Sequence, residues 1–393
     1  MTEDVVVLGS GYAGTGAVLS IEEELGDRVD LTWVSDSDYH FVLHEGHRVI
    51  RDPSVKEKIT IPVDRIKQPT TRFVQGRADG IDTGAREIAL EDGSTVNYDW
   101  LVVGVGSRTA FFGIDGLEEH ALTLKSLDDV LGINEAITEA AREATREEPA
   151  QVVVGGAGLS GIQSAGEIAE FRDRQHAPID IHLVEGLDSV FPPGEPELQG
   201  KLDQLLRDHG VNVMTGEFIT EVDEETVYIG KETELDYDVL LWTGGITGRD
   251  CAASAPVETD ERSNRLEAGS TFRTSDDRVF ALGDTAMIDQ PDGEDAPPTA
   301  QAAWQAAKHV GENVRRAMND QPLKEWTYDD KGTLISVGDE AVAYDAEDPY
   351  LGLRVPVRLF SGFPAEQAKK FVAARWINDV AGPVAAAKAW PDM

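Results

Sequence analysis

Two short glycine runs carry the residues whose types and spacing can do chemistry. Gly9, Gly11 and Gly14 follow the apolar residues 5–8, and Gly156, Gly158 and Gly161 follow the apolar residues 152–154. Both runs read G-x-G-x-x-G between a strand-like and a helix-like segment. In that order the first glycine permits a tight turn and the second lets backbone approach a pyrophosphate. The third lets helix pack on strand, and the N–H groups at the helix start face the anion. An acid is expected roughly 20 residues further on, where a ribose is met. Asp36 stands there for the first run and Glu185, after residues 179–184, for the second. A carboxylate at Glu185 accepts a hydrogen bond from a ribose 2′-hydroxyl and repels a 2′-phosphate. Residues 186–188 hold no Arg or Lys to offset it, so the expected nucleotide is NADH rather than NADPH. Gln163 and Glu167 lie at i and i+4 past Gly161 and share a helix face, as do Gln301 and Gln305 after Thr299, a residue suited to capping.

The elements that must hold these residues are duplicated. Residues 98–104, Tyr-Asp-Trp-Leu-Val-Val-Gly, continue to Gly106 and are echoed by residues 237–244, Tyr-Asp-Val-Leu-Leu-Trp-Thr-Gly. Each echo follows its glycine run at a similar distance, so two dinucleotide-binding units of one design lie in one chain. Residues 278–284, Arg-Val-Phe-Ala-Leu-Gly-Asp, read as a short buried strand ending in Gly283 and Asp284. Asp92-Gly93 between alternating runs marks a hairpin.

Composition narrows the class. The chain has 393 residues, and 73 Asp and Glu against 35 Lys and Arg leave a net charge of −38, which repels nucleic acid. The acidity is spread along the chain, as in proteins of salt-rich cytoplasm, where screening removes most of the self-repulsion. A single cysteine, Cys251, rules out an intrachain disulfide and a C-x-x-C redox pair. No run approaches the roughly 18 apolar residues that span a bilayer, and Met1 leads directly into the first strand. The expectation is a cytoplasmic protein, at most attached to the cytoplasmic face of a membrane. His40, His44 and His47 lack acidic partners in a ligand pattern, so no metal is expected and residues 38–52 read as a loop over the cofactor.

The paired glycine runs and the Gly283-Asp284 return resemble the two-dinucleotide flavoproteins. Within them the chain is similar to type II NADH dehydrogenases over nearly its whole length. The likeness rests on residues 112–120 and 124–127, on Ala165-Gly166-Glu167, and on residues 298–305, Pro-Thr-Ala-Gln-Ala-Ala-Trp-Gln. Gln163 departs from an expected Glu, and Ser35 stands where an acid is usual, with Asp36 next. The resemblance implies an α/β fold of two doubly wound Rossmann-like domains, the second inserted in the first, plus a small C-terminal α+β domain. The expected ranges are 1–112 and 245–325 for FAD, 113–244 for NAD, and 326–393 for the C-terminal domain. It implies that Asp284 accepts hydrogen bonds from the ribityl chain of FAD, and that Glu167, then Gln163, lie near nicotinamide and flavin. It also implies that NADH reduces FAD, which passes two electrons to a quinone without proton pumping. Gln301 and Gln305 are then placed to donate to the quinone oxygens. Two rival readings are a reductase of the same fold feeding an iron–sulfur protein, and a flavin-binding protein without turnover. At the C-terminus, residues 333–337 and 340–344 read as strands, and a helix runs from Pro364 to Gly382-Pro383. Its stripe Ala368, Phe371, Val372, Trp376 and Val380 reads as core, with a membrane-surface or homodimer face as the rival.

Overall fold

The computed structural model describes residues 2–347 and 353–393. The chain forms two compact units. The first comprises Met1–Val42, Thr60–Arg108 and Ile246–Asp330, and the second Leu43–Ile59, Thr109–Gly245 and Lys331–Met393.

The first unit is built on a five-stranded sheet in the order Val279–Ala281, Trp100–Val103, Glu3–Leu8, Val29–Ser35, Arg72–Gln75, all parallel. Val5, Val6, Val7 and Leu8 are at most 2 % exposed, which explains why this strand is an unbroken apolar run rather than an alternating one. The strand feeds the helix Tyr12–Glu24, against which the helix Ala300–Met318 packs closely. Gly311 permits that approach, since a Cβ there would lie 2.5 Å from the Ser20 carbonyl oxygen. The expected hairpin forms, with Glu87–Leu90 paired to Thr95–Asn97 and Gly93 at φ +84°.

The second unit repeats the plan. Its parallel sheet runs Val211–Thr215, Ile179–Glu185, Ala150–Gly155, Val239–Trp242. In both units the echoed strand lies beside the glycine-run strand, on the side away from the acid-bearing strand, so the internal repeat is structural. A second layer comes from the C-terminal region. Thr333–Val337, Glu340–Tyr344 and Leu359–Ser361 form an antiparallel sheet, followed by the helices Phe363–Ala381 and Pro383–Ala389. These residues cluster with the second unit rather than apart from it.

Three local expectations change. Residues 38–52 are not one loop. Tyr39–Phe41 pairs with Thr60–Pro62 in the first unit, whereas Leu43–Glu45 and Arg48–Arg51 are helical turns of the second. A seven-residue helix follows Gly382-Pro383, because Pro383 can open a helix as well as close one. The apolar stripe of Phe363–Ala381 is only partly core: Trp376 and Val380 are buried, while Ala368, Phe371 and Val372 are half-buried. The buried line instead runs Ala365, Lys369, Ala373, Trp376, Ile377 and Val380, and so includes a lysine.

Candidate functional site

In the first unit the glycine run is a cradle with no room for side chains in two places and open space in the third. A Cβ on Gly9 (φ +106°) would lie 2.3 Å from the Gly104 carbonyl oxygen, and one on Gly14 would lie 1.9 Å from that of Gly9. At Gly11 nothing lies within 4 Å. Gly11 is also the N-cap of Tyr12–Glu24 and supplies no side chain to its N–H groups, which leaves them for an anion. Hydrogen bonds hold the turn in place. The Trp33 indole N–H donates to the Gly9 carbonyl at 2.8 Å, and the Ser35 hydroxyl donates to Ser10 Oγ at 2.8 Å. His40 Nδ1 lies 2.8 Å from the Ser10 carbonyl, so this buried histidine braces the cradle. Asp36 follows Ser35, exposed at the end of its strand.

The Gly283-Asp284 return reaches this cradle. Gly283 adopts φ +73°, and a Cβ there would sit 2.8 Å from that of Ala13 and 3.4 Å from that of Ala303. Asp284 is therefore set beside the starts of two helices, Tyr12–Glu24 and Ala300–Met318. The Ser107 hydroxyl donates to its Oδ2 at 3.3 Å, next to Gly106 at φ +71° with open space around it. Thr285 is fully buried and its hydroxyl has no hydrogen-bond partner among the described residues, as expected of a group that meets a ligand. An open backbone cradle, an uncapped helix, a carboxylate on a fixed turn and an orphaned hydroxyl together fit a dinucleotide with a polyol chain.

Thr299 caps the helix Ala300–Met318 as expected, its side chain accepting from the Ala302 N–H at 3.2 Å. The two glutamines of that helix do different things. Gln305 donates to the Asp329 carbonyl at 2.8 Å and accepts from the Asp329 N–H at 3.1 Å, so its amide clamps the backbone of an extended segment. Gln301 Oε1 accepts from the Tyr328 hydroxyl at 2.8 Å.

The second unit has the same cradle. Gly156 takes φ +90°, a Cβ on Gly161 would lie 1.8 Å from the Gly156 carbonyl oxygen, and Gly158 is open. Gly158 caps Leu159–Gln175 without a side chain. Both Glu185 oxygens are oriented by backbone, accepting from the N–H groups of Ala157 at 2.8 Å and Leu187 at 3.0 Å. The carboxylate is thereby held at the lip of the glycine turn with lone pairs to spare.

Gln163 and Glu167 open onto a buried polar cluster that sequence spacing did not disclose. Gln163 Nε2 lies 3.3 Å from His47 Nε2 and 3.2 Å from Ser336 Oγ. Glu167 is fully buried, with Arg51 Nε at 3.1 Å and an Arg48 terminal nitrogen at 3.8 Å. Burial nevertheless pushes its carboxyl up to about 7, against the pull of Arg51 and Arg48. Glu45, also fully buried, accepts from Arg48 Nε at 2.5 Å and from the Lys369 ammonium at 3.1 Å. Burial works against its charge, but Lys369 and Arg48 outweigh it and hold the carboxyl well below its ordinary range. Burial pulls the His47 imidazole well below its ordinary range, with Lys369 adding to the effect. Asp339 takes Arg51 and Arg174 at 2.6 Å each. Two signals in the sequence, neither of them read above, could have found it: Glu45 and Arg48 at i and i+3, and Lys369 in line with the buried face of the helix Phe363–Ala381. Among the described residues no His, Cys, Asp and Glu group is arranged to hold a metal ion.

Two cradles of one design, each with an acid at the end of the neighbouring strand and an uncapped helix, define a protein that handles two dinucleotides. Residues 3–307 match the pyridine nucleotide-disulphide oxidoreductase family, and the chain belongs to it. It is 25 % identical over 396 residues to the type II NADH:quinone oxidoreductase of Staphylococcus haemolyticus, covering 96 % of both chains. Among solved structures it is similar to NDH2 from Plasmodium falciparum in complex with NADH, with TM-score 0.83 and 17 % identity over 100 % of this chain and 98 % of that one. The sulfide:quinone oxidoreductase of Aquifex aeolicus follows at TM-score 0.80 and 18 % identity, covering 97 % and 92 %.

Proposed function

We propose that the protein oxidises NADH and reduces a quinone by two electrons through FAD, without proton pumping, FAD being held by the first unit and NADH by the second. The observation that carries this reading is the pair of matching cradles, one of them completed by Asp284, Thr285 and an uncapped helix. Bound flavin supplies the ability to take a hydride and release its two electrons. The chain's own residues bind and orient. Gly11 and the first helix start hold one pyrophosphate, Gly158 and the second helix start the other. Glu185 accepts from the adenosine ribose and selects NADH over NADPH. The balance is NADH plus quinone plus one proton giving NAD⁺ plus quinol, with that proton drawn from solvent. The single cysteine, half-buried Cys251, excludes the paired-cysteine chemistry that sulfide oxidation needs.

The quinone contact we assign to Gln301 at the start of the Thr299-capped helix, while Gln305 holds the Asp329 backbone behind it. Exposed Leu353, Val357, Phe363 and Val384 in the C-terminal region support contact with a membrane surface, where long-chain quinones reside. One experiment tests these assignments together. NADH and NADPH are supplied as donors, with soluble short-chain and vesicle-borne long-chain quinones as acceptors. NADH is the better donor, vesicle-borne quinone is reduced, and Gln301→Ala slows quinone turnover about tenfold while anaerobic flavin reduction stays near native. Equal use of both donors, or no quinone reduction at all, overturns the reading.

The dispersed charge of −38 supports adaptation to a salt-rich cytoplasm. Lowering KCl from molar to millimolar lengthens the screening distance from about 3 Å to beyond 10 Å, so the thermal midpoint falls. A midpoint indifferent to salt contradicts the adaptation.

A further inference from the structure

We infer that the strained turn at Phe112-Gly113 serves donor binding, its exposed phenyl ring forming a wall on which the nicotinamide riboside of NADH packs. This role rests on the second unit being the NADH-binding unit, and it gives a function to the start of the segment 112–120, which neither cradle uses.

Phe112 and Gly113 are the central residues of a tight turn, closed by the Ile114 N–H donating to the Phe111 carbonyl at 3.0 Å. Their φ values are +53° and +68°, the pattern of a type I′ turn, for which Asn-Gly is the favoured pair. Gly113 suits that turn and Phe112 does not. A left-handed backbone brings Cβ against the following carbonyl oxygen, and phenylalanine lacks the short polar side chain by which asparagine offsets the cost. Burial does not offset it either. Phe111 and Ile114, at the two ends of the turn, pack against the core that holds Leu117, Val222 and Trp242, whereas Phe112 is 69 % exposed. The fold is served by the ends of the turn, and the strain at its centre serves to aim a ring outward.

The ring lies across Gly245, where a Cβ would come 2.5 Å from Phe112 Cζ. The residues just before Gly245 back the second cradle. A Cβ on Gly156 would lie 2.7 Å from Gly244 Cα, and the Thr243 hydroxyl donates to the Gly156 carbonyl at 2.9 Å. Trp242 ties this wall to the turn, its indole N–H donating to the Ala110 carbonyl at 2.8 Å. Residues 243–245 therefore run from the glycine turn to Phe112. The sheet order says which half of a dinucleotide meets them. Ile179–Glu185 lies on one side of Ala150–Gly155 and Val239–Trp242 on the other. With the pyrophosphate at the glycine turn and the adenosine ribose at Glu185, the second nucleoside extends over the end of Val239–Trp242. There it meets two glycines without side chains and the Phe112 ring, a flat apolar surface suited to dispersion contact with a sugar or a planar base.

The test sets stability against binding in the flavin-loaded protein. Phe112→Asn puts the favoured residue into the turn, so the thermal midpoint rises by about 2–4 °C. Binding is followed by calorimetry with tetrahydronicotinamide adenine dinucleotide, which cannot give up a hydride, and with ADP, which ends at the pyrophosphate. In Phe112→Asn the affinity for the dinucleotide falls about tenfold, the upper worth of one aromatic contact, while that for ADP stays at its native value. Phe112→Tyr keeps the ring and keeps the native affinity for both. A dinucleotide affinity that stays native in Phe112→Asn, or falls only as far as that for ADP, overturns the role given to the ring. A lower thermal midpoint overturns it too, because the ring would then belong to the fold. If the native protein binds neither ligand, the NADH reading of the second unit fails instead.

Discussion

Asp284→Ala is expected to give a folded protein that loses its flavin on desalting. The carboxylate sits on a turn that Gly283 alone can make, since φ is +73° and a Cβ would lie 2.8 Å from that of Ala13. The turn itself does not depend on the side chain. The Arg265 guanidinium donates to the Asp284 backbone carbonyl at 2.8 Å, and the strand Val279–Ala281 is anchored in the sheet beside Trp100–Val103. The side chain accepts from Ser107 at 3.3 Å, and a carboxylate has further lone pairs for the hydroxyls of a ribityl chain. A hydrogen bond to a charged group is worth about 1.5–3 kcal/mol, so losing one weakens FAD by roughly 10- to 150-fold. The check is the ratio of flavin to protein absorbance after desalting, with far-UV circular dichroism to show the fold intact. Asp284→Asn, which keeps an acceptor, should retain more flavin than Asp284→Ala. Full flavin retention by Asp284→Ala would remove Asp284 from the site.

The second large effect is on stability, and it lies in the second unit. Glu45→Gln should lower its unfolding free energy by about 3–5 kcal/mol, because the Lys369 ammonium and Arg48 guanidinium are left buried beside a neutral amide. For a unit of this size that is a fall in melting temperature on the order of 10 °C. The penalty belongs to the stranded cations rather than to the missing carboxylate. Glu45→Gln combined with Lys369→Met should therefore lose clearly less than the two single variants added together. Additive losses, or a Glu45→Gln midpoint within about 1 °C of native, would show that solvent reaches these charges and that the cluster is not a low-dielectric site. Glu167 belongs to the same cluster but has the opposite character. It faces Arg51 and Arg48, yet neither of its oxygens has a hydrogen bond among the described residues, and burial raises its carboxyl to about 7. Two buried carboxylates that both face Arg48 thus hold their protons very differently, because one is hydrogen-bonded by cations on both oxygens and the other is not.

The amino-acid sequence by itself determined much of what depends on neighbours along the chain, although it hid the helical turns within residues 38–52 and the helix that Pro383 opens. Both strand, turn and helix starts were legible because an apolar run, three glycines at fixed spacing and a following helix are set by steric limits on a dozen consecutive residues. The same holds for the Asp92-Gly93 hairpin, for Thr299 as a cap and for the strands Thr333–Val337 and Glu340–Tyr344. The duplication was legible too, since two copies of one local pattern need no knowledge of how they pack. What the tertiary structure alone decided is which distant residues meet. Leu43–Ile59 leaves the first unit between two paired strands and joins the second, and no local signal marks the change of allegiance. His47, Gln163 and Ser336 converge across gaps of 116, 173 and 289 residues, and Lys369 reaches Glu45 across 324. Gln305 shares its spacing with Gln301 but is spent on the backbone of Asp329, because the chain returns there after the helix ends. Periodicity shows which face of an element is polar. Only the packing of another element against that face decides whether a polar group meets solvent, a ligand or a buried partner.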